Sequence, residues 1–283
     1  MNTQSGQIIS ASRRSDIPAF YGNWFLQQVQ KGFIDVPNPF SKRTFRVSLA
    51  PDEVSAIVFW SKDYSSFVPI LDIIDPIYQK RFLFHFTING YRDRAKLLFE
   101  PNIPDQRQAI ETAVMLSERY GKHAVLWRFD PIILSSASTM EKRIAAFSEL
   151  ARQLEGKTVR CFISFVDLYG KVRQRFEKTA AGQRIEFIKP SLKERIDIAC
   201  ELRQIAGKHG ITVSACCEDD IIEGAGIQKA HCIDSTLLSQ LYPDVEFPRK
   251  ISPTRTGCGC YESRDIGTYN TCQNHCLYCY ACR

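Results

Sequence analysis

Short apolar runs alternate along this chain with longer stretches in which apolar positions recur every three or four residues. The runs at 7–12, 46–49, 56–60, 81–87, 124–129, 159–166, 211–216 and 229–233 each predict a strand. Between them, Phe67, Ile70, Leu71 and Ile74 share one helical face, as do Ile144, Phe147, Ala151 and Leu154, and then Leu192, Ile196, Ala199 and Leu202. Residues 105–120 predict a helix stopped by Gly121, and 173–181 a shorter one. The caps agree. Asp16 precedes a first turn holding Pro18, Ser138 or Thr139 precedes another helix, and Ser191 a third.

Strand–helix alternation repeated this often predicts an α/β fold with a mostly parallel sheet. Seven or eight strands in about 235 residues fit a (β/α) TIM-like barrel, complete or partial, over residues 1–250. Beyond Tyr242 the pattern stops. Pro243, Pro248, Pro253, Gly257 and Gly259 lead into an irregular cysteine-rich tail, 251–283, expected to lie over the barrel mouth.

Polar and reactive residues follow nearly every expected strand: Arg13, Arg14 and Asp16; Lys62 and Asp63; Asn89 and Arg92; Arg128 and Asp130; Ser164, Asp167 and Tyr169; Cys216, Cys217 and Glu218; Cys232 and Asp234. Some of these are ordinary helix caps, but a barrel active site would be built from such a set. Arg128, Asp130 and Tyr169 are the catalytic candidates. Arg13 and Arg14, with Arg128, are candidate anion-binding groups, and Tyr169, Tyr278 or a cysteine is a candidate hydrogen-atom donor.

Composition narrows the picture modestly. The 283 residues are 44% hydrophobic and 24% charged, enough to bury a core without cross-links. The net charge of +6 suits a small anionic substrate or nucleic acid, although no block of Lys/Arg focuses it. The first residues do not read as a secretory signal, and no apolar run reaches the roughly 18–20 residues of a membrane span, so a cytoplasmic protein without a membrane partner is expected. In a reducing compartment, eleven cysteines read as metal ligands and buried thiols. Cys161 and Cys200 fall within a strand and a helix and read as core. Cys216 and Cys217 are expected to face opposite ways at a strand end, Cys217 toward the mouth. Cys232 suits either role.

Six cysteines crowd into residues 258–283: Cys258, Cys260, Cys272, Cys276, Cys279 and Cys282. The spacing Cys272-x3-Cys276-x2-Cys279 can wrap one iron–sulfur cluster. Cys258, Cys260 and Cys282, with Cys217 or Cys232, supply thiolates for another, so two metal sites are expected.

The stretch TCQNHCLYCYAC, with Tyr278 just before the third cysteine, resembles the cluster motif of the radical S-adenosylmethionine (SAM) enzymes. That resemblance implies a [4Fe–4S] cluster on Cys272, Cys276 and Cys279, a fourth iron open to SAM with Tyr278 beside it, and a reductant such as a flavodoxin or ferredoxin. Over nearly the whole length, residues 12–21, VFWSKD, WRFDPI (127–132), SFVDLY (164–169) and the terminal cysteines resemble a bacterial family of unknown function noted for a radical SAM-like C-terminal cysteine cluster. A radical SAM-like redox enzyme of unknown substrate is therefore the leading expectation. Two others stand beside it. One is an iron–sulfur protein using its cluster for electron transfer or Lewis-acid catalysis without SAM. The other is a zinc-binding nucleic-acid module contacting a backbone through Arg255, Arg264 and Arg283.

Overall fold

Eight strands form one parallel sheet in the computed structural model, which describes residues 6–282 apart from 40 and 42. They are β1 (Gln7–Ala11), β2 (Val54–Ser61), β3 (Phe82–Thr87), β4 (Val125–Ile132), β5 (Arg160–Phe165), β6 (Thr212–Ala215), β7 (Gln228–Lys229) and β8 (Arg264–Asp265). In space they run β7-β6-β5-β4-β3-β2-β1-β8. The run at 46–49 lies outside this sheet: Thr44–Ser48 pairs antiparallel with Phe33–Pro37 in a separate hairpin.

This order corrects the expectation of a (β/α) barrel, complete or partial. The fold is α/β on one large parallel sheet, Rossmann-like in its parallel strands and helical cover, with β7 and β8 as its two ends. Among the described residues no ladder joins those ends. Each end strand is only two residues long, and Pro243, Pro248 and Pro253, which have no N–H to donate, punctuate the chain between them. Hydrophobic periodicity reports which residues make strands, not whether the first and last of them pair.

The caps act where expected. Asp16 accepts from the Ala19 N–H at 3.1 Å and starts Ile17–Phe20, after which the chain re-forms a helix over Gly22–Lys31. Thr139 caps Met140–Gln153, and Ser191 with Glu194 makes a capping box for Leu192–Lys208.

Alternate residues of each strand serve two different cores. On one face Phe59, Phe84, Trp127, Ile163 and Val213 pack with Phe25, Phe67, Phe147 and Leu202 of the helices. On the other, Ile8, Val58, Leu83, Leu126 and Phe162 are covered by Leu237 and Leu238 of the helix Ser235–Leu241, and by Cys258 and Cys260. Burial on both faces explains near-continuous apolar strands such as β3, FLFHFT. It also means that the tail is packing material for the sheet. Among the described residues no helix is long and apolar enough to cross a membrane.

Candidate functional site

The tail-covered face carries polar groups toward the carboxyl ends of its strands. Trp60 and His85 are register partners on β2 and β3, and their rings stack 4.1 Å apart. Trp60 Nε1 donates to Ser10 Oγ at 3.1 Å, which in turn donates to Asp265 at 2.9 Å. His85 is fully buried, and its Nε2 lies 2.7 Å from the Cys232 carbonyl. A carbonyl can only accept, so Nε2 carries the proton and Nδ1 is left buried with no partner. Burial, reinforced by the Arg128 charge, holds His85 well below the usual imidazole range, so the ring is neutral.

Arg128 projects onto the same face from β4. It pairs with Asp130, donates Nη1–H to Cys232 Sγ at 3.2 Å, and its guanidinium lies 5.4 Å from the Trp60 ring centre. Arg13 stands at the same distance from that ring, and its Nη2 is buried without a partner. Asp130 accepts from the Ser164 hydroxyl, and its backbone N–H donates to Asn89 Oδ1 at 2.7 Å. Arg14 instead turns toward Tyr269 and approaches Asp265 at 4.0 Å. Tyr169 stands apart, about half exposed, donating to Asp167 at 3.1 Å and accepting from Arg255 at 2.6 Å.

The tail motif folds back onto the ends of β1, β2 and β3. Asn274 is buried and donates to Asp16 at 3.0 Å; Asp16 also accepts from Ser61 Oγ at 2.5 Å and the Lys62 N–H at 3.2 Å. Tyr278 donates its hydroxyl to Glu100, which also receives Lys62 Nζ and Asn89 Nδ2, each at 2.8 Å. Burial raises the Glu100 carboxyl, and the Lys62 ammonium with these donors more than offsets it, leaving the group below its ordinary value. Backbone anchors complete the attachment. Tyr21 donates to the Thr271 carbonyl at 2.6 Å, Tyr280 to that of Arg13 at 2.8 Å, and the Leu277 N–H to that of Phe99 at 3.0 Å.

Folded this way, the tail turns back on itself at its four cysteines. Cys282 Sγ donates to the Cys272 carbonyl at 3.5 Å, and the Cys279 N–H donates to the Cys276 carbonyl at 3.0 Å. Burial raises Cys272 to about 12 and also raises Cys276, where the Lys62 ammonium works the other way.

The remaining candidate thiols gather elsewhere on the same face. Cys216 Sγ lies 3.4 Å from Cys232 Sγ, the Cys260 N–H donates to Cys258 Sγ at 3.5 Å, and Cys216 and Cys217 both pack against the cluster that holds Cys232, Cys258 and Cys260. The expected opposite orientation of Cys216 and Cys217 is thereby corrected. Val213 and Ala215 face the helices, β6 ends at Ala215, and Cys217 turns into the left-handed region at φ +58°, which brings both thiols to one side. Cys161 is a core residue of β5, and Cys200 leans on the Gly224 carbonyl at 3.7 Å.

Sequence reasoning overlooked His85 and Glu100. The only signals for them were a His within an otherwise apolar strand and an acid following the apolar end of a helix. Among the described residues no three His, Cys, Asp or Glu side chains already converge on a single metal ion. The site offers thiols, which would become soft donors suited to iron–sulfur clusters, zinc or Cu(I) only on losing their protons, set among buried cations.

No curated protein matches the chain. Among solved structures, one from work on inhibition of the pneumococcal virulence factor StrH and on N-glycan recognition and hydrolysis aligns at 12% identity with a TM-score of 0.26. The alignment covers 87% of this chain and 64% of that one, so this chain spans less than two thirds of its length. A family described as a domain of unknown function, DUF1848, matches residues 8–281, and the chain belongs to that family.

Proposed function

We propose that this protein is an iron–sulfur redox enzyme whose centre is held by Cys272, Cys276 and Cys279. The observation that carries the reading is the folded cysteine loop, turned back by the Cys279 N–H on the Cys276 carbonyl at 3.0 Å and pinned by Asn274 to Asp16 and by Tyr278 to Glu100. A cation beside a buried thiol favours the thiolate, the form that binds metal. When bound, a [4Fe–4S] cluster would supply single electrons, taken from a reductant such as a flavodoxin or ferredoxin. The chain's own part is to fix the loop, through Asn274 on Asp16 and Tyr278 on Glu100. SAM enters this reading through the resemblance of residues 272–279 to the radical SAM motif, which would leave one iron open.

A second reading has its own support. Cys282 Sγ reaches the Cys272 carbonyl at 3.5 Å, so a fourth tail thiol is at hand. Four thiolates would close the centre and suit it to electron transfer without SAM. The test is to incubate the reconstituted chain with reductant and SAM and to look for 5′-deoxyadenosine. Its formation, lost in Cys276→Ala and kept in Cys282→Ala, supports the SAM enzyme. A reducible brown protein that leaves SAM intact supports the closed centre, and a colourless protein with stoichiometric zinc overturns both.

A further inference from the structure

We propose that Cys216, Cys217, Cys232, Cys258 and Cys260 form a second, separate centre, an iron–sulfur cluster held by four of these five thiolates. The five come from three places, the end of β6, the segment after β7 and the tail before β8, and they share one cluster: Cys232, Cys258 and Cys260 lie within it, Cys216 and Cys217 pack against it, and Cys216 Sγ lies 3.4 Å from Cys232 Sγ. Nothing in hydrophobic packing requires five sulfurs to meet. Cys232, Cys258 and Cys260 are buried, and the backbone is shaped to bring them together. Gly257 has φ +76°, and a Cβ there would lie 3.3 Å from the Cys217 Cα, so the tail can approach Cys217 this closely only at a glycine.

The cations around these sulfurs suit an anionic centre, in which metal has displaced the thiol protons, better than a disulfide. Arg128 donates to Cys232 Sγ at 3.2 Å and Arg255 to Cys217 Sγ at 3.1 Å. Arg13, with its buried and unpartnered Nη2, stands on the same face, 5.4 Å from the Trp60 ring that Arg128 also flanks. Asp130 and Asp167 offset Arg128 and Arg255 in part, and Asp265 faces Arg13. A disulfide carries no charge and would leave guanidinium donors facing neutral sulfur. Four thiolates around a doubly positive [4Fe–4S] core leave a doubly negative centre, which these donors would match. Cys216 and Cys232 are in direct contact and, among the described residues, no three such side chains surround a common point, so uptake of the cluster requires the side chains to rearrange.

The experiment uses the whole chain, reconstituted anaerobically with ferrous iron and sulfide, with iron, zinc and acid-labile sulfide counted per chain. Two double variants are compared with wild type, Cys258→Ser/Cys260→Ser and Cys276→Ser/Cys279→Ser, with circular dichroism to confirm folding. Wild type is expected to hold about eight irons and each variant about four. Wild-type iron in the Cys258/Cys260 variant overturns the second centre. So does a folded Cys276/Cys279 variant without iron, a result that does not depend on the first variant folding. Stoichiometric zinc lost only with Cys258 and Cys260 overturns the iron–sulfur assignment. If the Cys276/Cys279 variant keeps all the iron, the tail reading fails and this one stands.

Discussion

Asn274 donates a hydrogen bond to the buried carboxylate of Asp16 across 258 residues of chain, at 3.0 Å. This contact fixes the cysteine motif of the tail to the turn after the first strand. Asp16 is simultaneously the cap of Ile17–Phe20 and the acceptor for Ser61 and Lys62 at the end of β2. One carboxylate therefore ties together a helix start, two strand ends and the candidate metal loop.

Replacing Asn274 by Ala should free that loop without touching a cysteine. A buried carboxylate left short of one donor costs about 1–3 kcal/mol. The expected outcome is a lower melting temperature for the metal-free chain and faster iron loss to a chelator in the reconstituted one. An Asp16/Asn274 double-mutant cycle with no coupling would refute the link.

Asp16 also sets a pH dependence. Burial raises its carboxyl to about 6 from the model-compound value of 3.8, against the pull of its hydrogen bonds. A group whose pKa is raised by folding contributes fully below its unfolded value, and that contribution is lost as pH rises through the folded one. Stability should therefore fall between about pH 4 and pH 6–7, by on the order of 3 kcal/mol at 1.36 kcal/mol per unit. Asp16→Asn should flatten that slope in denaturant titrations of the metal-free chain. An unchanged slope would assign it to another group.

Lys62 and Glu100 form a buried ion pair, with side chains 12% and 6% exposed. Removing one partner strands the other charge, at about 3–5 kcal/mol. Lys62→Met should approach that loss in urea unfolding, and Lys62→Met/Glu100→Gln should recover much of it, because the neutral amide can still accept from Tyr278 and Asn89. If the double variant is no more stable than the single one, the pair is not the source of the loss.

The strands of the main series were readable because both faces of the sheet are apolar, and the caps at Asp16, Thr139 and Ser191 because their side chains answer a local need for N–H acceptors. What could not be read depends on distant contacts. Sheet closure is a relation between chain ends, and β8 has two residues whose pairing with β1 follows from the Asp265 hydrogen bonds to Ser10 and Ser12. Strand parity carried past Ala215 placed Cys216 and Cys217 on opposite sides, because a left-handed residue leaves no periodic trace. The tail spacing singled out Cys272, Cys276 and Cys279, while the company of Lys62, Glu100 and Asn274 emerges only in three dimensions.

Gly267 provides the most direct test of how the tail meets β1. A Cβ at this position would lie 1.8 Å from Ser12 Oγ and 2.5 Å from Ser12 Cβ, too close for any rotamer change to relieve. Beside it, Asp265 accepts from Ser10 and Ser12 hydroxyls and from the Arg13 and Gly267 N–H groups, so the backbone cannot slide away without breaking that set. Gly267→Ala is expected to cost about 1–3 kcal/mol, the range for overpacking a well-filled site. Ser12→Gly/Gly267→Ala removes the clashing side chain and should restore part of that loss, less the hydrogen bond from Ser12 to Asp265. Equal stability of Gly267→Ala and wild type would mean that β8 does not press on β1 in solution.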